Sequence, residues 1–216
     1  MSHPTVSVRV TGEQALFCRP EFHAEPVSYP LPTPSAARGI CDAIYWHPGF
    51  RWKITEIRSL VRAGTFSILR NEVEIKMSPR ADALFADQNR QQRNAVMLRG
   101  PLDYIIVAEC LVLPGGDPAE KHRDIFRRRV TRGQCHHRPV LGTRECAAEF
   151  CAADDAPEPI DWTEDLGLML WDLEFQAAKG HPHRGGMGPH SPLFFHAKVE
   201  DGVMRVPAEP LKGGRP

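Results

Sequence analysis

Residues Tyr104–Leu113, YIIVAECLVL, are apolar at every position but Glu109 and rich in β-branched side chains. At ten residues the run is far short of the roughly 20 needed to cross a bilayer as a helix. It therefore reads as a strand covered on both faces, the centre of a sheet. A strand of that kind requires further strands beside it and a second layer over it.

The neighbouring segments supply both. Val6, Val8 and Val10 alternate with Ser7 and Arg9 up to Gly12, the period of a first half-buried strand. After the proline-rich EPVSYPLPTPS, Thr33-Pro34 offers an N-cap and a first helical position. A helix is expected from Pro34 to Trp46, with Ala37, Ile40, Cys41 and Ile44 on one face and Tyr45 at that face's edge. His47-Pro48-Gly49 stops it. Trp52–Val61 and Thr65–Ile75 read as strands across an Ala63-Gly64 turn. The polar stretch over residues 76–94 reads as a long excursion or mobile hairpin, a candidate RNA-contacting arm.

Beyond the apolar strand, Asp117 is the expected N-cap of a second helix, with Pro118 first, Glu120 three residues after the cap and Gly133 as its stop. Ala119, Phe126 and Val130 form its buried face, His122 and Ile125 flank that face, and Lys121, Arg128 and Arg132 form an exposed stripe. Leu141–Cys151 is a weak last strand, and DDAPEP at 154–159 reads as a linker. A small β-rich unit over 160–216 follows, with a strand at Leu166–Phe175 and a hairpin, Pro192–Val199 with Val203–Val206, turning at Asp201-Gly202. Residues 1–153 thus run strand, helix, strand, strand, helix, strand. The expected fold is α+β: a ferredoxin-like domain, as in RNA-recognition modules, with a small β-rich C-terminal domain.

That topology sets the two helices antiparallel on one face of the sheet, so the end of the first meets the start of the second. Tyr45 should then approach Lys121 and His122. From Lys121 to Arg144 the chain carries eight Lys or Arg, three His and one acid, Asp124, although its overall formal charge is zero. Charge segregated in this way marks a polyanion site. A histidine moves protons near neutral pH, an ammonium stabilises a phosphorane, and a tyrosine can serve the entering or leaving oxygen. Together they suit RNA cleavage by the neighbouring 2′-hydroxyl. The helix pattern alone also fits His122 as a hydrogen-bonded histidine at the core's edge, and Tyr45 as a core residue.

The N-terminal segment shows neither a charged leader nor a membrane span, and a cytoplasmic protein is expected. Six cysteines stand without a CxxC pair, which argues against a zinc ribbon and a secreted disulfide framework. Cys135-His136-His137 lacks an evident complete ligand set, and the His- and Gly-rich segment 181–190 has only weak metal-site spacing. No metal and no other cofactor is expected.

Five blocks carry a resemblance: RVTGEQALFCRPEF from Arg9, SYPLPTPSAARGICDAIYW from Ser28, RNEVEI from Arg70, QRNAVMLRGPLDYIIVAE from Gln92 and KHRDIFRRRVTRGQCHHRPVLGTRE from Lys121. In this order they resemble the subtype I-C (Dvulg) members of the fifth CRISPR-associated protein family, in the repeat-associated mysterious protein superfamily. The chain departs from the family ahead of Lys121, where PGGDPAE replaces an asparagine-rich approach.

The resemblance implies metal-independent endoribonuclease processing of precursor CRISPR RNA, with Tyr45, Lys121 and His122 as catalytic residues. The repeat stem-loop would be cut at its 3′ base, leaving a 5′-hydroxyl and a 2′,3′-cyclic phosphate. It also implies retention of the mature guide RNA in a type I-C surveillance complex, beside backbone and large subunits and, through the complex, target DNA. Arg127, Arg128, Arg132, Arg138 and Arg144 are the RNA-contact candidates, with Arg129 nearer the packed side. The alternative is a noncatalytic subunit capping the 5′ end of the guide. A metal-dependent nonspecific nuclease is disfavoured because no ordered acidic cluster appears.

Overall fold

Alternation and apolar runs build a mostly antiparallel sheet with two helices against it. The computed structural model describes residues 4–22, 24–73, 90–175 and 190–211. In β1 (Thr5–Ala15) Val6, Val8 and Val10 are buried, as the period of two requires. The apolar run lies in β4 (Arg90–Val112), where Leu102 to Ile106 are buried at every position. That unbroken burial follows from its place between β1 and β2 (Phe50–Ser59), to each of which it pairs antiparallel.

With β3 (Gly64–Val73), β5 (Glu149–Cys151), β6 (Glu164–Phe175), β7 (His190–Glu200) and β8 (Val203–Arg205), the sheet has eight strands. They run in the order β5-β1-β4-β2-β8-β7-β6, with β3 paired to β4 off this path. The helices α1 (Pro34–Ile44) and α2 (Ala119–Thr131) pack against the sheet and touch each other.

Several expectations shift. Residues 90–94 of the expected arm belong to β4 and pair with Leu69–Val73 of β3; the remainder through residue 89 lies outside the described residues. This hairpin carries little apolar period because most of its side chains are not buried. The expected last strand is reduced to the three residues of β5, paired with Arg9–Thr11. Gly142 explains the loss: its φ is +92°, and a Cβ there would stand 2.0 Å from the Leu16 carbonyl oxygen, so the chain turns rather than extends.

Beyond the 154–159 segment the chain forms β6, β7 and β8, and β8 pairs with β2 and continues the same sheet. The Asp201-Gly202 turn has φ values of +50° and +75°, the left-handed pair that matches the twist of a two-residue hairpin. The His- and Gly-rich 181–190 segment lies outside the described residues except for the backbone of His190. No helix among the described residues is long and apolar enough to cross a membrane.

Candidate active site

The site begins where α1 ends. Thr33 Oγ1 caps the helix by accepting from Ala36 N at 3.1 Å. The helix stops at Ile44, earlier than the expected Trp46, because Tyr45 turns extended (φ −150°, ψ 118°) while its N–H still donates to the Cys41 carbonyl. Extended chain alternates its side chains. Tyr45 accordingly turns inward, Trp46 is 60% exposed, and His47 returns to the packed side. Trp52 Nε1 holds the turn by donating to the Tyr45 carbonyl at 3.0 Å.

The other half comes from α2. Asp117 is not its side-chain cap: the helix starts after Pro118 with no such bond, and the Asp117 carboxylate instead accepts from Lys121 Nζ at 2.8 Å. One turn apart on the buried stripe, His122 and Phe126 face the sheet, and Phe126 meets Trp52 edge-on at 4.8 Å. Tyr45 Oη then lies 2.9 Å from His122 Nδ1. Phe50 stacks on Tyr45, ring centroids 5.5 Å apart, and packs at a tilt against His122 at 4.4 Å.

His122 is 0% exposed, and its Nε2 has no hydrogen-bond partner among the described residues. Burial is the first cause that lowers its pKa, reinforced by His47 and Lys121 and partly opposed by Asp117. Burial likewise raises the Tyr45 phenol, with Arg129 and Lys121 pulling the other way. Lys121 is exposed, and its ammonium, bonded to Asp117, holds that carboxyl below the ordinary carboxylate range. The structure therefore brings Tyr45 and His122 into contact and leaves Lys121 beside them at the surface.

The basic segment divides by what its members touch. Arg127, Arg128 and Arg132 are exposed at α2, and Arg138 and Arg144 are exposed on the following loop. Arg138 donates to Glu149 at 2.5 Å. Arg129, expected nearer the packed side, donates to the Ile44 carbonyl at 2.8 Å and sets its guanidinium 5.2 Å from the Tyr45 ring centroid. His136 and His137 donate their main-chain N–H groups to the Ala43 carbonyl at 2.7 and 3.2 Å. The α2 segment thus satisfies carbonyls that α1 leaves open at its C-terminus, where positive charge is favoured.

His47, whose ring lies 5.2 Å from His122, and Phe50 also line the site, although the sequence pattern assigns neither a chemical role. For His47 a signal was present: two residues beyond Tyr45 in extended chain is the same side. Among the described residues no three His, Cys, Asp or Glu side chains come together in an arrangement able to hold a metal ion.

Known proteins are similar to this chain in sequence and in fold. The Cas5d family model, described as "CRISPR-associated protein (Cas_Cas5)", matches residues 5–207. A protein of Thermus thermophilus named CRISPR pre-crRNA endoribonuclease Cas5d is 44% identical, the match covering 94% of this chain and 92% of that one. A protein of the same name from Mannheimia succiniciproducens is 35% identical, covering 94% of each. The crystal structure of SMU1763c from Streptococcus mutans, described as functionally uncharacterized, has a TM-score of 0.66 at 21% identity over 95% of this chain and 93% of that one. A crystal structure of a CRISPR-associated protein gives 0.65 at 24% identity over 96% and 93%. These two likenesses establish a shared fold, and the family model with the two relatives establishes more: this chain belongs to the Cas5d family of CRISPR-associated proteins, the subtype I-C form of Cas5.

Proposed function

We propose that the protein is a metal-independent endoribonuclease that cuts precursor CRISPR RNA beside its repeat stem-loop. The observation that carries this reading is the 2.9 Å contact between Tyr45 Oη and His122 Nδ1, with the Lys121 ammonium next in sequence at the surface. Two relatives named pre-crRNA endoribonucleases support it.

In this reading RNA supplies its own nucleophile. The 2′-hydroxyl attacks phosphorus in line, the 5′-oxygen leaves, and a 2′,3′-cyclic phosphate remains. Tyr45 and His122 work as one proton-transfer pair in which the buried imidazole acts through the phenol oxygen. A pH–rate profile of each variant assigns the pair to the 2′- or the 5′-oxygen. Lys121 stabilises charge on the phosphorane. Arg127, Arg128, Arg132, Arg138 and Arg144 hold the stem-loop through its phosphates.

The same reading makes residues 1–153 a ferredoxin-like RNA-processing unit and 160–216 a smaller β-rich unit. The strand order β5-β1-β4-β2, with one helix after β1 and one after β4, supports the first assignment. The product guide RNA stays bound, and the protein serves in a type I-C surveillance complex with backbone and large subunits, meeting target DNA through that complex.

Complete burial of His122 favours a second reading, a noncatalytic subunit that caps the 5′ end of the guide. Incubation with cognate repeat RNA in EDTA separates the two. Cleavage is expected to persist in EDTA, to vanish when the 2′-hydroxyl at the cut is replaced by hydrogen, and to collapse in Lys121→Ala while RNA binding remains. Intact binding with no cleavage, in EDTA or with added divalent metal, would leave the capping subunit.

A further inference from the structure

A second imidazole stands at this site, and it is the more accessible of the two. His47 is half-buried, whereas His122 is wholly enclosed. Gly49 N donates to His47 Nδ1 at 3.1 Å. A main-chain N–H can only donate, so Nδ1 is the unprotonated ring nitrogen and Nε2 carries the proton. The ring is thereby set as a donor through Nε2.

The turn that carries His47 is clamped by the loop leading to α2. Leu113 N donates to the Gly49 carbonyl at 2.9 Å, and a Cβ at Gly116 would fall 2.2 Å from that same oxygen. Only glycine permits so close an approach. The Pro114-Gly115-Gly116 stretch that distinguishes the approach to Lys121 therefore seats the His47 turn against the start of α2. Two donors of unlike origin result, the His47 imidazole from the end of α1 and the Lys121 ammonium from the start of α2.

We propose that His47 is a further catalytic residue of this site, its Nε2–H donating to a nonbridging oxygen of the scissile phosphate alongside Lys121. The assignment rests on the endoribonuclease reading. As the O2′–P bond forms and the P–O5′ bond breaks, negative charge builds on the nonbridging oxygens, and a donor already in place stabilises it without reorganising. His47 keeps its proton throughout. The Tyr45-His122 pair serves one of the two bridging oxygens, and the other exchanges its proton with water.

The test is single-turnover cleavage of cognate repeat RNA by the full chain in EDTA, with either phosphorothioate diastereomer at the cut. His47→Ala is expected to slow cleavage about 10²-fold, the scale of losing one such donor, with RNA affinity retained. His47→Gln places its amide nitrogen where Nε2 stood and recovers most of the rate; His47→Asn reaches only the Nδ1 position and does not. One sulfur diastereomer slows the wild type, and that penalty shrinks in His47→Ala. Wild-type rate in His47→Ala, or equal loss in all three variants with an unchanged sulfur penalty, overturns the assignment, while wild-type cleavage in EDTA that is lost in Lys121→Ala leaves the endoribonuclease reading standing. Uncut RNA with the wild type overturns both the assignment and the reading beneath it.

Discussion

Tyr45 Oη and His122 Nδ1 lie 2.9 Å apart although 77 residues separate them in the chain, and the bond joins the end of α1 to the start of α2. Tyr45→Phe deletes the oxygen and keeps the ring that stacks on Phe50. Single-turnover cleavage is expected to fall about 10²–10⁴-fold, the range for positioned acid–base groups. Urea melts should show a loss of about 1–3 kcal/mol, because a buried imidazole nitrogen loses its partner. Wild-type cleavage in this variant would remove Tyr45 from the chemistry.

His122 predicts an acid-side loss of stability. Its folded-state pKa lies below the ordinary 6.5, chiefly through burial, so the folded state resists the proton that the unfolded chain accepts. The associated stability is present above 6.5 and is lost as pH falls through the depressed folded value. Denaturant melts from about pH 7.5 to about pH 5 should show a smaller decline for His122→Asn than for the wild type.

Asp42 predicts the opposite limb. Burial pushes its carboxyl up to about 6, with Arg38 opposing and Asp172 adding to the rise. Its contribution is fully present below 3.8 and is lost as pH rises through about 6. Asp42→Asn should therefore melt above the wild type at about pH 8 and converge with it at about pH 4, followed by circular dichroism.

Arg129 and Arg128 are neighbours with separable duties. Arg129→Ala opens the Ile44 carbonyl and uncovers the Tyr45 ring. Its main effects should be on cleavage rate and melting temperature. Arg128→Ala should leave melting unchanged and reduce the salt slope of repeat stem-loop binding by about 0.7–0.9, the loss of one phosphate contact. Titrations at several salt concentrations distinguish the two, and equal slopes for Arg128→Ala and wild type would take that side chain off the RNA.

Elements whose burial follows a simple period were legible in the sequence. The alternation in β1, the continuous run in β4 and the Thr33 cap of α1 each answer to one local cause. The approach of Tyr45 to His122 followed from element order, because antiparallel helices bring one helix's end to the other's start. What local pattern could not carry was set by partners distant in the chain. Arg90–Asn94 is a strand because β3 lies beside it, and residues 141–148 fail to extend because Gly142 meets Leu16. Asp117 looked like a cap by position and spacing, yet its carboxylate is bonded to Lys121. His47 stands in a helix-stopping His-Pro-Gly run, and a residue's role in ending an element says nothing of where its ring points.

The β2–β8 ladder has a consequence for how this chain can be divided. Glu56–Arg58 pair with Val203–Arg205, Ser59 N donates to the Gly202 carbonyl, and Ile160 N donates to the Ser59 carbonyl. A cut at 154–159 followed by separation would strip main-chain partners from the strand that also presents Phe50 and Trp52 to the site. Neither half could be lent to another protein without taking a raw sheet edge with it. Inheritance, domain transplantation and truncation all meet the same constraint, and the two ends of the chain must travel together.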